Sequence, residues 1–406
     1  MAITLISSPQ AYMPVYSPAE WVASSNQTAT ANFQYTVVFT DLITSATITK
    51  NYDQRPDDAK LVFDSNFFAE VYTKNYVPNN VYGWQKCTDA IRKIRVNIGE
   101  TYGTTPTYYA GSNVDYIVWN GVLEELDFPS YDYTDFVFSA AADRFRYLSR
   151  LGTRDTFEDR SLFAYTLTSV ANDAGSLRIK TYDSAGSLIG TSNIANPYAA
   201  STTYTDKYLC IDVGHKGLSQ ISSGLVTGAY PIITSSVASY TVEDSTTYAS
   251  SSTITLLMTV TIKCEAKCEP YVLHALFKNG DFESVPFPKV SEINNQTVKV
   301  TYKRNPFALT GSYYTYSNFT GREITLNSTT QQRITLQTDW MTYEEIEAFK
   351  EIIDAPQVYI DYGSTIGLIP VQVETNSYKV LQKWNTGNPY FQITIRQGHT
   401  NTKQRG

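Results

Sequence analysis

Few residues in this chain are placed to do chemistry. The stretch CEAKCEPYVLHALFKNGDFESVPF, Cys264–Phe287, holds two of its four cysteines and one of its three histidines. Cys264 and Cys268 are spaced C-x3-C, and His274 follows. A structural zinc site takes four ligands, commonly a Cys-x2-Cys pair with a second pair elsewhere. On one extended strand the two cysteines would stand roughly 13 Å apart, beyond disulfide reach. A turn at Glu265–Lys267 would close that gap. The stretch therefore admits a metal site, a disulfide or plain thiols, and the plain thiols are preferred. Cys87 and Cys210 are distant in sequence and join such a site only if folding brings them near. His274 lies in the alternating run Tyr271–Phe277 and reads as a strand side chain. The whole stretch reads as a domain junction: a strand ends, Pro270 interrupts, and a hairpin begins with the turn KNGD at Lys278–Asp281.

Other reactive patterns are missing. The sequence has no GxSxG elbow, HExxH, P-loop or GxGxxG. His215 sits in VGHKG, where a tight turn is expected. His399 belongs to the terminal tail. A glycosidase needs two carboxylates astride one bond. Glu124 and Glu125 are adjacent in an expected strand and would point to opposite faces. Asp53–Asp58 (DQRPDD) reads as a charged turn, and Glu344 and Glu345 have a structural task at a helix start. No catalytic, cofactor-binding or metal-binding residue is assigned. The chain is expected to be no enzyme and to carry no cofactor.

Composition agrees with a scaffold. Of 406 residues 17% are charged and 14% aromatic, including 32 tyrosines, and the net charge is −7. So much Tyr suits pleated surfaces and interfaces, where ring and hydroxyl both find use. No basic block stands out, which argues against tight binding to nucleic-acid phosphates. The opening residues lack a charged, apolar leader pattern, so no signal peptide is expected. No run reaches the 18 or so apolar residues of a membrane span. The N-x-[ST] triplets at Asn26, Asn295, Asn318 and Asn327 then read as chance, and the cysteines as reduced thiols.

The elements that must position these residues are mostly strands. Phe33–Phe39 is aromatic and β-branched, and Ile94, Val96 and Ile98 alternate with Arg95 and Asn97. Tyr116–Trp119 runs into an Asn120–Gly121 turn. Ser176–Ile194 predicts a hairpin about Asp183–Gly186, and Ser251–Cys264 another strand. Arg322–Trp340 predicts two arms about Asn327–Thr330, and the segments from Leu368 and Pro389 a last pair. The clearest helix is Thr342–Ala355, with a capping box from Thr342 to Glu345, a face of Ile346, Phe349 and Ile353, and Pro356 as its stop. A shorter helix follows Asp64 with Phe67, Phe68, Val71 and Tyr72 inward. A helix is also entertained over Asp132–Arg150. The beginning, Ile3–Trp21, has few polar groups and is expected to lie along a neighbouring subunit as an added strand.

Composition shifts divide the chain into residues 1–165, 166–264 and 265–406. The expected fold is mainly β: two β-rich, sandwich-like modules and a C-terminal α+β domain with one clear helix. No internal repeat or heptad run suggests a fibre shaft.

Several fragments together resemble structural proteins of tailed phages infecting Bacteroidetes, crAss-like phages included. They are ISSPQAYMPVYSP (Ile6–Pro18), the FxY strand at Phe33–Tyr35, the Pro56–Asp57 turn before Val62–Asp64, and VxxGE at Val96–Glu100. WNGVLEELDFPSYDYTDF (Trp119–Phe136), the block Cys268–Phe282, the helix opening Trp340–Glu345 and the strand Ile369–Tyr378 follow in the same order. The likeness covers both ends of the chain and is weakest in the middle. It implies a non-enzymatic virion component of the tail or neck, assembled in the host cytoplasm. Its implied partners are copies of itself in a ring and other tail and neck proteins, with DNA passing through without specific binding. A receptor- or carbohydrate-binding tail module is the alternative.

Overall fold

The computed structural model describes residues 3–103, 105–108, 113–124, 126–138, 147–169, 176–199, 201–244, 255–263, 270–289, 291–303, 307–316, 323–339, 341–375, 390–397 and 401–402. The protein is mainly β, with several sheets, and among the described residues one helix reaches seven residues, Tyr343–Phe349. The chain divides into two compact units. One is Met1–Cys264 with Leu276–Ser284; the other is Glu265–Ala275 with Val285–Gly406.

The first unit contains two layered pairs of sheets. In the first pair, the strands Ile3–Ser7, Glu20–Ser25 and Leu61–Asp64 form a small sheet. Tyr12–Pro14, Val114–Trp119, Ile91–Thr101, Gln34–Asp41 and Thr47–Tyr52 form, in that order, the main path of a larger one. Period-2 alternation decides which side chains go inside. Trp21 and Phe63 from the small sheet meet Tyr35, Val37, Phe39, Ile94, Val96, Ile98, Tyr116 and Val118 from the large one in a single core. The rings of Trp21 and Phe63 stack at 6.0 Å, and Phe39 meets Phe63 edge-on at 5.6 Å. On the outer face, Arg95 stands opposite Asp115 in the ladder and grips it with two bonds of 2.7 and 3.0 Å. That grip, helped by Lys93, holds the Asp115 carboxyl below the usual carboxylate range.

The beginning of the chain is built into this layer. Ile3–Ser7 pairs with Glu20–Ser25, and Tyr12–Pro14 lies parallel to Val114–Trp119 of the same chain. Met13, Val15 and Trp21 are buried there. The added strand expected to reach a neighbour is therefore added to its own sheet, because these apolar residues fill its own core.

In the second pair, Val137–Phe138, Phe163–Thr168, Tyr208–Asp212 and Trp84–Lys86 form one sheet. The other runs Gly152–Phe157, Thr255–Lys263, Ser239–Asp244, Ser176–Tyr182, Leu188–Ala195, Val226–Gly228. Their shared core includes Trp84, Leu162, Leu209, Ile211, Leu177, Ile179, Tyr240, Val242 and Val260. The expected hairpin is present: Asp183 Oδ1 accepts from the backbone N–H groups of Ala185 and Ser187, and Gly186 takes φ +80°. Residues 1–165 and 166–264 are interleaved here. Trp84–Lys86 crosses over to pair with Tyr208–Asp212, Gly152–Phe157 pairs with Thr255–Lys263, and Phe163–Thr168 straddles position 165.

In the second unit one sheet runs Tyr271–Leu276, Val358–Asp361, Leu368–Val373, Gln392–Gln397, Glu323–Gln337, Glu292–Lys303. Thr342 caps the helix as its sequence predicts: its Oγ1 accepts from the Glu345 N–H, and Glu345 accepts from the Thr342 N–H. After Phe349 the helix tightens into a 3-10 turn, Lys350–Ile353. With three residues per turn, Ile352 rather than Ile353 falls under Ile346 and Phe349 and is fully buried.

Other expectations are revised. The helix after Asp64 is Asn66–Glu70; it ends before Val71, which is exposed, and Phe68 and Ala69 carry the buried face. The described part of Asp132–Arg150 holds a 3-10 turn, Tyr133–Asp135, and the short strand Val137–Phe138 instead of a helix, since Asp132 caps Thr134 locally. Asn327–Thr330 makes no turn: Glu323–Gln337 is one strand of 15 residues. No Gly or Pro forces a reversal there, and β-branched Thr favours the extended ladder.

Candidate functional site

Among the described residues no group of three or more His, Cys, Asp and Glu side chains is set to hold a metal ion. Cys264, Cys268 and His399 lie outside the described residues. Cys87 and Cys210 are brought to neighbouring strands: Gln85 stands opposite Cys210, and the Cys87 N–H donates to the Tyr208 carbonyl at 2.8 Å. Both are free, fully buried thiols whose pKa values burial pushes well up. Thiolate is the reactive form, so these are inert packing residues. With Cys264→Ser and Cys268→Ser in place, a thiol reagent at pH 8 should label Cys87 and Cys210 about a thousandfold more slowly than in denaturant. Rapid labelling of the folded protein would contradict this placement.

His215 opens a short helix, His215–Gln220, rather than a tight turn. The tight feature is Gly217, whose Cβ would stand 2.2 Å from the Asp212 carbonyl oxygen. His215 Nδ1 accepts from the Asp159 N–H at 3.1 Å, and burial lowers its pKa against the opposing pull of Glu158 and Asp159. A proton on Nδ1 abolishes that acceptor. Folding that depresses a histidine pKa stabilises the protein above the unfolded value, about 6.5, and loses that contribution as pH falls below it. The unfolding midpoint should therefore drop by a few °C between about pH 6.5 and pH 5, and His215→Gln should flatten that part of the profile. An unchanged profile in the variant would show that His215 plays no part.

His274 lies on the strand Tyr271–Leu276, fully buried, with Nε2 3.6 Å from Asp361 Oδ2. Asp361 also accepts from the Gly363 N–H at 2.8 Å. Glu124 follows the end of the strand Val114–Trp119 and pairs with Lys278 at 2.9 Å, in exposed surroundings. Each of these side chains has a partner within the chain.

The turn at Lys278–Asp281 is bonded on several sides. The Phe277 N–H donates to the Asp281 carbonyl and the Gly280 N–H to the Phe277 carbonyl, each at 2.9 Å, and Gly280 takes φ +92°. Around it, Trp119 Nε1 donates to the Asn279 carbonyl and the Val122 N–H to that of Lys278, both from the first layered pair. From the second pair, Tyr208 Oη donates to the Gly280 carbonyl at 2.7 Å, and Arg154 reaches Glu283 and the Ser284 carbonyl, each at 2.8 Å. The segment Leu276–Ser284 thus ties the two layered pairs together.

One surface has no cover among the described residues. Glu292–Lys303 is exposed at all twelve positions and is the last strand of its sheet, bonded among the described residues to Glu323–Gln337 alone. That neighbour meets Gln392–Gln397 at Arg333–Gln337 and Asn401–Thr402 at Thr329–Thr330. From Ser328 outward the pair is a two-stranded ribbon among the described residues. A register shift between Val300 and Thr301 leaves Leu326 as a bulge. The ribbon has two chemically different faces. Val298, Val300 and Tyr302 share one, with Ile324 opposite Tyr302; Thr297, Lys299, Thr301 and Lys303 share the other. Val298 is 58%, Val300 52% and Tyr302 45% exposed. The strand hairpin Phe307–Thr310 and Tyr313–Tyr316 follows, with Phe307 and Tyr313 exposed. The alternation of Val298, Val300 and Tyr302 in TVKVTYK is the signal that marks this strand in the sequence.

Neither a protein-family model nor a curated protein matches this chain.

Proposed function

We propose that this chain is a structural subunit of a phage tail or neck, one of the ring-forming proteins between the portal and the distal tail, through which the genome passes. The exposed ribbon carries this reading. A long, flat edge with apolar side chains is a liability in a lone protein and an asset in one that assembles. The fragments resembling tailed-phage structural proteins point to the virion; the ribbon points to self-association. A net charge of −7 suits a conduit that must release DNA rather than hold it. No described helix is long and apolar enough to cross a membrane. Partners in this reading are copies of the chain and the tail or neck proteins above and below it, and no covalent chemistry is required.

Imaging tests it. Purified protein should form rings with a central opening, and antibodies against it should label the neck or tail of intact virions. A strictly monomeric protein located at fibre tips, or one that binds glycans there, would replace this reading with receptor recognition.

A further inference from the structure

We infer that the free side of Glu292–Lys303 is completed by a strand of a second copy of this chain, and that the receiving edge on that copy is Thr47–Tyr52. The inference rests on the ring reading and supplies its contact.

The contact is small, of the kind that repetition around a ring strengthens. The six residues of the receiving strand, at about 3.4 Å each, share about 20 Å of the ribbon's edge. One face and one edge over that length, each about 10 Å across, offer about 400 Å² per partner, the weak end of specific interfaces, which is why assembly is sought at high concentration. The chemistry narrows the occupant. Along EINNQTVKVTYK only Glu292, Lys299 and Lys303 are charged, and the rest is Asn, Gln, Thr, Val, Ile and Tyr. Such an edge has neither the basic stripe that phosphates need nor a strong charge of either sign to recruit an oppositely charged partner. It fits another strand of low charge, bonded through its backbone.

This chain carries one. Thr47–Tyr52 (TITKNY) is the outermost strand of its sheet, pairing only with Gln34–Asp41 among the described residues. It is exposed at Thr47, Ile48, Thr49 and Asn51 and carries one charge, Lys50. The other outermost strands of the first unit are shorter or more buried: Val226–Gly228 has three residues, and Gly152–Phe157 buries half of its side chains. Joining two different edges makes a head-to-tail contact, which closes into a ring or continues, whereas an edge joined to itself stops at a dimer.

The test uses full-length chains with exposed substitutions: Val298→Asp with Val300→Asp on the ribbon, and Ile48→Asp with Thr49→Asp on the receiving edge. At about 100 µM, sedimentation velocity should show oligomers of the unmodified protein and monomers of either variant. A 1:1 mixture of the two variants should recover dimers, because each retains one working half. Thr297→Lys with Thr301→Lys, on the polar face, should leave assembly intact. Three results would overturn the inference: assembly surviving in the ribbon variant, no recovery in the mixture, or a protein that stays monomeric throughout. Protection from exchange, in the monomer, of those Glu292–Lys303 amides that point away from Glu323–Gln337 would assign the cover to another segment of the same chain. Rings that persist in the ribbon variant defeat this contact and spare the ring reading. Head-to-tail oligomers that never close do the reverse.

Discussion

Replacing Gly280 with alanine should destabilise the first unit by about 4 kcal/mol or more, lowering its unfolding temperature by about 10 °C. Two costs combine. Gly280 holds φ +92°, a conformation in which an L side chain is strained by about 1–2 kcal/mol. The larger cost is steric, because a Cβ there would stand 1.9 Å from the Asn120 carbonyl oxygen and 2.7 Å from its carbon. Both are backbone atoms and cannot swing aside. The turn must withdraw, and with it go the Tyr208 bond to the Gly280 carbonyl and the Trp119 bond to the Asn279 carbonyl. Gly186 provides the internal comparison: it has φ +80° but open space where its Cβ would lie. Gly186→Ala should cost only the conformational part, about 1 kcal/mol. Thermal unfolding of the two variants separates strain from collision, and equal effects would mean that the turn does not seat against Asn120 as described.

This turn also shows how far a sequence can be read. KNGD is a local signal, and so is the capping box of Thr342 and Glu345; each depends on residues within four positions, and both are found where expected. What the turn docks against is set by Asn120, Trp119 and Tyr208, dozens to more than a hundred positions away, and no local pattern encodes such meetings. The same holds for the interleaving of the first unit. A change in composition near residue 165 is real, yet Trp84–Lys86 has to find Tyr208–Asp212 in space. Of the ribbon, Glu323–Gln337 reads as strand in the sequence, though as two arms, and Glu292–Lys303 is not picked out at all. Asn-Ser-Thr-Thr reads as a turn by composition, but a row of partners on Glu292–Lys303 satisfies the backbone groups that face that strand in the extended form. Alternation in Ile94–Ile98 translated directly into burial because both faces had contrasting chemistry. Where a whole strand is exposed, as in Glu292–Lys303, burial gives no pattern to read, and the strand's importance emerges only from what fails to cover it.

Breaking the Arg154–Glu283 pair should be nearly as damaging as the Gly280 change, and removing both members together should be milder. The side chains are 7% and 5% exposed. Arg154 Nη2 donates to Glu283 Oε2 and to the Ser284 carbonyl, each at 2.8 Å, while Glu283 Oε1 accepts from the Arg150 N–H. Two charges removed from water repay their desolvation only through each other and the surrounding bonds. Arg154→Leu strands a buried carboxylate and a buried carbonyl, so a loss of about 3–5 kcal/mol is expected. Glu283→Leu leaves the guanidinium its bond to the Ser284 carbonyl, and should cost somewhat less. In the double variant neither member of the pair is left without the other, and two leucines recover apolar contact between Gly152–Phe157 and the segment Leu276–Ser284. Its cost should fall below that of Arg154→Leu alone by about 1–3 kcal/mol. Denaturant midpoints for the four proteins give the coupling directly. A double variant whose loss equals the sum of the single losses would mean that the two side chains act independently. In that case the hold on Leu276–Ser284 rests mainly with the Trp119, Val122 and Tyr208 bonds and the Asn120 contact, and Gly280→Ala should outweigh either single variant.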